Sequence, residues 1–175
     1  MSAAGHAFVG CGVAIVVAGG VALATGQPWL FPSLGPTAML QTEQPTSDES
    51  TPRNTLVGHA VALAAGYGSL ALFGLRSAAP VPSAGITPSR IGAAAVSLAV
   101  TAAVLLLVRR PHAPAGATTL IVSLGLLRSP SSLVIAFASV CVVTLIDWIY
   151  NRLSGEQMPI WHNLGTDRQP PPSPP

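Results

Sequence analysis

Histidine, glycine and threonine lie close together in residues 111–127, a short stretch set between longer apolar segments. His112 and Gly116 are followed by two hydroxyl residues, Thr118 and Thr119. A segment broken by Gly and Pro is tolerated at membrane depth only where it faces protein or a wet cavity. If a helix begins here, its unpaired N–H groups and the two hydroxyls point into the interior. A helix N-terminus carries roughly half a positive charge, so the stretch predicts a site for a small anion.

A fainter copy of this stretch lies at residues 31–41, where aligning Gly35 with Gly116 places Thr37 on Thr118. Two interrupted segments in corresponding halves of a chain are typical of a transport site. The alternative is that the glycines only permit close helix crossing and the threonines cap their own helices. The candidate substrate-binding residues are Ser33, Gly35, Thr37, His112, Gly116, Thr118 and Thr119.

Four more residues are candidates for proton transfer or for the mouth of a pathway: Arg53, Asn54, His59 and Asp147. Histidine can donate a hydrogen bond, take a proton near neutral pH or hold a helix start in place. An ionisable residue within a membrane segment is a functional hypothesis by default. Asp147, however, directly precedes Trp148, and ordinary solvation at the membrane interface is the simpler expectation. A structural histidine and an ordinary loop arginine are the corresponding alternatives for His59 and Arg53.

The elements that must position these residues are membrane helices. The chain has 175 residues, of which 50% are hydrophobic and only 8% are charged, whereas a soluble domain carries about a quarter charged residues. Apolar runs of about 20 residues, the length of a spanning helix, lie at residues 5–24, 55–75, 90–108 and 132–150. We therefore expect an all-α membrane protein with four transmembrane helices and two short re-entrant or broken segments.

Small residues recur every fourth position in three of the predicted spans, which favours close helix packing in lipid. The first seam consists of Gly10, Ala14, Ala18 and Ala22. The second span has two such faces, one with Gly58, Ala62 and Gly66 and one with Ala60, Ala64 and Gly68. The third span has a seam at Ala95, Ala99 and Ala103.

The order span, broken segment, span occurs twice, at about residues 5–76 and 90–152, with an irregular connector at residues 77–89. We expect a single transmembrane domain at residues 1–152 and a disordered, Pro-rich tail at residues 153–175. Residues 41–53 form a polar run without apolar periodicity, predicted to be a solvated loop. Asn54 or Thr55 is expected to cap the helix that follows.

Whether the two halves are parallel or inverted depends on whether each broken segment turns back or crosses the membrane. Both termini share a face in either case. We expect that face to be the cytoplasmic side of the cell membrane.

Several function classes are disfavoured by composition. The formal net charge is only +2, with eight arginines and no lysine, so nucleic acid is not an expected partner. Cys11 and Cys141 give neither a disulfide framework nor a metal-ligand spacing. The chain lacks the common catalytic motifs. No cofactor, metal or enzymatic activity is expected.

Residues 112–117, His-Ala-Pro-Ala-Gly-Ala, resemble the His-Pro-Pro-Ala-Gly-Ala pattern of the HPP family of small integral membrane proteins, with Ala113 in place of the middle proline. Pro52-Arg53-Asn54 followed by Gly58-His59, and the glycine-containing segment at residues 34–40, are similar to other parts of that family. The resemblance implies a four-span protein. Because plant and cyanobacterial relatives are implicated in nitrite transport, it also implies transport of this or a similar solute.

The expected function is therefore that of a membrane transporter or channel for a small monovalent anion, with nitrite as the leading candidate. The expected partners are the anion and the lipid bilayer, and a homo-oligomer is compatible with four short spans. The alternatives are a non-transporting structural or regulatory membrane module and a neutral-solute channel.

Overall fold

The computed structural model describes residues 1–159, and residues 160–175, which contain most of the predicted tail, lie outside the described part. The described chain is helical, with a 3₁₀ turn at Asp48–Ser50 before the third helix. The helices are α1 Ala3–Thr25, α2 Leu34–Glu43, α3 Pro52–Leu72, α4 Val81–Ala84, α5 Pro88–Leu107, α6 Ala115–Ser123 and α7 Pro130–Leu153. The four helices α1, α3, α5 and α7 are long and apolar enough to cross a membrane, which confirms an all-α membrane fold.

Each of these four long helices begins with a hydroxyl side chain that accepts a backbone N–H of the first turn. The capping residues are Ser2, Thr51, Thr87 and Ser129. In α3, α5 and α7 the next residue is proline, whose fixed φ suits the first helical position. The expected cap at Asn54 or Thr55 is therefore wrong, because Pro52 starts α3 earlier and Thr51 caps it.

Each short helix packs against one long helix of its own half and one of the other half, which we call exchanged packing. Helix α2 packs against α1 of its own half and against α7 of the other half. Correspondingly, α6 packs against α5 of its own half and against α3 of the other. Helix α1 packs against α7, and the corresponding helix of the second half, α5, packs against α3. Helix α3 also packs against α7, which joins the two halves. The pattern is that of two related halves that interlock.

Side-chain contacts show which helix ends lie together. At one end of the bundle, Asn151 near the end of α7 bonds both to His6 near the start of α1 and to Gln41 near the end of α2. Gln41 in turn bonds to Thr55 at the start of α3. Since α1 runs away from this end and α3 starts at it, residues 26–43 must bring the chain back across the bundle.

The register of α2 along α1 agrees with a crossing segment. Leu30 lies beside Gly19, whereas Thr42 lies beside Gly10 and bonds to Cys11, with 3.3 Å between Oγ1 and Sγ. The segment therefore runs antiparallel to α1, back toward the start of that helix. A re-entrant course for residues 31–41 does not fit these contacts.

The second broken segment crosses in the opposite direction. His112, before α6, bonds to the Glu49 carbonyl near the start of α3. Ser123, at the end of α6, accepts a bond from Arg90 near the start of α5, at the other end of the bundle. With three crossings in each half, the halves run in opposite directions, which makes them inverted repeats.

The seam of small residues in α1 is confirmed at Gly10, Ala14 and Ala18, which are buried. In α3 the face with Gly58, Ala62 and Gly66 is buried, whereas the predicted second face with Ala60, Ala64 and Gly68 is exposed. The prediction for α5 is wrong, because Ala95, Ala99 and Ala103 are exposed. The buried face consists of Ala93, Ser97, Thr101 and Leu105.

The predicted solvated loop at residues 41–53 is only partly a loop. Helix α2 continues to Glu43, and Gln41 is fully buried. Ser50 is also buried, and its hydroxyl donates to the carbonyls of Leu40 and Gln44. These bonds satisfy the last carbonyls of α2 and fold the segment back onto the helix end.

Candidate functional site

His59 stands at the centre of a buried cluster of polar side chains in the middle of the bundle. Its Nδ1 atom lies 2.7 Å from Thr118 Oγ1, and its Nε2 atom lies 3.0 Å from Thr37 Oγ1. Thr118 donates to Ser33 Oγ at 2.7 Å. Ser33, Thr37, His59 and Thr118 are each 0% exposed. We call these four residues and His112 the His59 cluster.

His112 completes the cluster from the loop before α6. Its Nε2 atom lies 3.2 Å from Nε2 of His59, and its Nδ1 donates to the Glu49 carbonyl at 2.8 Å. Gly58 allows this approach, because a Cβ atom there would lie 2.8 Å from Cβ of His112. The cluster thus joins α2, α3, α6 and the 3₁₀ turn before α3.

The starts of the two short helices therefore converge on one imidazole. Ser33 and Thr37 lie at and one turn beyond the start of α2, and Thr118 lies in the first turn of α6. Thr37 and Thr118 are the pair that the glycine alignment placed in corresponding positions. The two threonines lie on opposite ring nitrogens of His59, as inverted halves would place them.

Not every predicted binding residue belongs to the cluster. A Cβ atom on Gly35 would meet nothing within 4 Å, and one on Gly116 would meet Leu98 of α5. The two glycines therefore do not face each other across a site. Thr119 is fully buried, but its hydroxyl has no hydrogen-bond partner among the described residues.

The expected free N–H groups at the start of α6 are already used. The amides of Ala115, Gly116 and Ala117 donate to the carbonyls of His112, Ala113 and Pro114, at 3.1, 3.0 and 3.1 Å. The first turn of α6 is tightened into i→i−3 bonds, which satisfies donors that a regular helix would leave open. The polar groups of the site are therefore the hydroxyls and imidazoles rather than bare amides.

The four candidates for proton transfer or for the mouth are placed differently. His59 is the centre of the cluster. Asn54 is buried in the first turn of α3, and its Nδ2 atom lies 3.5 Å from the Pro111 carbonyl oxygen. Arg53 is half-buried at the start of α3. Asp147 is 0% exposed, which corrects the interfacial interpretation because it lies on the face of α7 that packs into the bundle.

Sequence reasoning missed a second line of buried polar residues that leads from one end of the bundle toward the His59 cluster. Gln41 and Asn151 are both fully buried, and His6 is 8% exposed. Asn151 Oδ1 lies 2.8 Å from His6 Nε2. The available signal was the four-residue spacing of Ser33, Thr37 and Gln41, of Thr55 and His59, and of Asp147 and Asn151, which places each set on one helix face.

His6 also borders an open pocket of about 640 Å³ at this end of the bundle. The pocket is lined by the start of α1, the end of α2 and the chain after α7, including Thr42, Glu43, Ser154 and Glu156. The buried polar line therefore connects to the outside at the end that holds the first helix start.

The comparisons with curated proteins and with solved structures found no match. The scan against family models found a match to the model described as HPP, transmembrane region, over residues 1–159. The match covers all four long helices, both broken segments and every residue of the His59 cluster. The chain therefore belongs to the HPP transmembrane family.

Proposed function

We propose that the protein transports a small monovalent anion across the membrane, with nitrite as the leading candidate. The convergence of the two broken-helix starts on His59, between Thr37 and Thr118, carries this proposal. Inverted repeats with interrupted helices commonly enclose a substrate site at their interface. The resemblance to a family with plant and cyanobacterial members implicated in nitrite transport supports the choice of anion.

The chemistry of the cluster suits a small anion. Hydroxyls of Ser33, Thr37 and Thr118 and the N–H of an imidazole are donors that an anion can use in place of its hydration shell. A site built from dipoles should hold its ion weakly enough to release it.

The donors that would hold an anion are bonded to one another. Binding then requires Thr118 to exchange its bond to Ser33 for one to the anion, and the two broken-helix starts to separate. In an inverted repeat, movement of one half against the other opens such an interface to alternate sides.

The test is anion flux into proteoliposomes, with Thr118→Val compared with Thr101→Val. Thr101 is a matched control, since it is also buried but, within residues 1–159, its hydroxyl bonds only to the Ser97 carbonyl of α5. We expect nitrite flux above that of empty vesicles for the unaltered protein and for Thr101→Val, and at least a tenfold loss for Thr118→Val. No flux above empty vesicles for nitrite, nitrate, formate and chloride would overturn the proposal.

One observation favours a different class of function. All five members of the His59 cluster hydrogen-bond within the chain, as they would in a structural module that only holds its helices together. In that case Thr118→Val changes thermal stability and leaves every flux at the level of empty vesicles. A neutral-solute channel is distinguished in the same vesicles by water or glycerol permeability that exceeds nitrite permeability.

A further inference from the structure

Helix α7 buries a carboxylic acid that the proposed anion site does not use. Asp147 is 0% exposed, and neither carboxyl oxygen has a hydrogen-bond partner in residues 1–159. A buried carboxylate without a partner costs several kcal/mol relative to solvent. A proton removes the charge, and it turns one oxygen into a donor.

Two other buried polar groups on α7 and α2 also lack partners among residues 1–159. Thr144, three residues earlier on the same buried face, has an unpartnered hydroxyl oxygen, and Gln41 of α2 has an unpartnered side-chain oxygen. Helices α2 and α7 lie side by side here, since Leu34 and Ala38 pack with Val140 and Val143 in one cluster. Further along the pair, Asn151 donates to the Gln41 carbonyl at 3.0 Å.

Asp147 therefore lies beside the second half of α2, between these two points of contact.

No charged or titratable neighbour replaces that proton within the described chain. On the helices packed against α7, the groups nearest this end are His6 of α1, Glu43 of α2, and Arg53 and His59 of α3. His6 bonds to Asn151, and His59 bonds within its own cluster. None of the four bonds to Asp147. On α7 itself, the Arg152 guanidinium lies over the Trp148 ring, 5.7 Å from its centre.

The pocket lies at the end of the bundle where α7 ends, beyond Asp147 and Asn151 on that helix. His6 borders the pocket and contacts Asn151, which lies one helical turn from Asp147. On the inner side, Gln41 and Thr37 lie on one face of α2 and lead to His59. Asp147 lies one helical turn into α7 from Asn151, which bonds to the pocket-lining His6.

We propose that Asp147 is a proton-binding site that exchanges its proton with water from the pocket beside His6. A hydronium ion that enters from the pocket gives one proton to a carboxyl oxygen and leaves as water, and the same O–H bond breaks when the proton returns to water. This part stands independently of any transport. Resting on the proposed function, the second part is that the proton travels with the anion, so that one anion and one proton cross together without net charge.

The first test is infrared spectroscopy of the purified protein at neutral pH, which distinguishes the carbonyl stretch of a protonated acid from carboxylate bands. We expect the protonated band in the unaltered protein and in Asp48→Asn, a control that changes an exposed aspartate, and its loss in Asp147→Asn. The absence of this band from the unaltered protein, or its persistence in Asp147→Asn, overturns the proposal. If Asp147→Asn does not fold, the unaltered protein with ¹³C-carboxyl aspartate decides, because the band must then shift.

The second test is the charge carried during nitrite flux in proteoliposomes. Electroneutral flux in the unaltered protein and in Asp48→Asn, with loss of the response to an imposed pH gradient in Asp147→Asn, supports coupling. Flux that is electrogenic and indifferent to the pH gradient overturns the coupling. If no protein shows flux, the proposed function fails while the infrared result still decides the proton site.

Discussion

The imidazoles of His59 and His112 meet edge to face, with 3.2 Å between their Nε2 atoms and 5.0 Å between ring centroids. His112 Nδ1 must be a donor, because its partner is the Glu49 carbonyl. In a neutral His112 the Nε2 atom is then an acceptor, and His59 supplies the proton between the two rings. The hydrogen bond between His59 of α3 and His112 of the loop before α6 therefore requires the His112 tautomer with its proton on Nδ1.

Replacement of His112 tests this bond. His112→Leu leaves the Glu49 carbonyl without its His112 donor, whereas His59 Nε2 keeps Thr37 Oγ1 at 3.0 Å. A buried unpaired group costs about 1–3 kcal/mol. We expect a lower midpoint of thermal unfolding in detergent. His112→Gln, whose amide has both a donor and an acceptor, should recover much of the loss, and equal midpoints for the Leu and Gln variants would contradict the assignment.

The contact between Gly58 and His112 predicts a steric effect. In Gly58→Ala the new Cβ would lie 2.8 Å from Cβ of His112, which is not a flexible side-chain end. Overpacking of this kind typically costs about 1–3 kcal/mol, and it should push His112 from His59 and reduce any anion flux. Thermal unfolding and flux should both be measured.

The matched control for Gly58 is Gly68 of the same helix, because a Cβ there meets nothing within 4 Å. Alanine is favoured over glycine within a helix by about 1 kcal/mol, so Gly68→Ala should keep or raise stability. Equal losses for the two variants would show that helix flexibility, rather than the approach of His112, is what matters.

Arg90 is expected to stabilise the end of the bundle where α5 begins. Its guanidinium donates to the carbonyls of Ser123, Ala78 and Ala79 at 3.1, 3.3 and 2.8 Å, and the residue is 2% exposed. Arg90→Ala removes all three bonds and should cost about 3 kcal/mol, since each net hydrogen bond is worth about 1 kcal/mol. Thermal unfolding in detergent measures the loss.

Arg90→Lys tests whether the shape of the guanidinium matters, because one ammonium cannot reproduce the planar fork. We expect an intermediate loss. Arg76→Ala removes an exposed arginine and is the control. A lysine variant as stable as the unaltered protein would show that charge alone is sufficient.

The crossing of residues 26–43 predicts which loops share a face. Single cysteines at Ala4, Gln44 and Ala84, each exposed, can be labelled in a background with Cys11→Ala and Cys141→Ala. Because the first segment crosses, Ala4→Cys and Gln44→Cys should react with an impermeant reagent from one side, and Ala84→Cys from the other. A segment that turns back would place Gln44 on the side opposite Ala4.

We expect the face with Ala4 to be cytoplasmic. Arg53, Arg109, Arg110 and Arg152 lie at that end, and Arg76, Arg90 and Arg128 lie at the other. The excess is small, but the positive-inside rule favours this orientation. Labelling from the cytoplasmic side of oriented vesicles measures it directly.

The sequence predicted the long helices and the correspondence of Thr37 with Thr118, since span length and the alignment of two glycine segments are local signals. It could not predict the seam of α5, because alanine is so frequent in this helix that spacing does not identify one face. The depth of Asp147 was also missed. The neighbouring Trp148 indicates how far along α7 Asp147 lies. The burial of Asp147 depends instead on which face of α7 packs against α2.

The exchanged packing of the short helices has a consequence for how the protein is made. Helix α2 emerges from the ribosome early, yet one of the two long helices against which it packs is α7, the last of the described helices to be synthesised. Until then, one side of the first broken segment lacks the surface that shields it from lipid, and its buried threonines and glutamine have no permanent neighbours there. Insertion into the bilayer and completion of the interior must therefore be separate events, the second waiting for the end of translation.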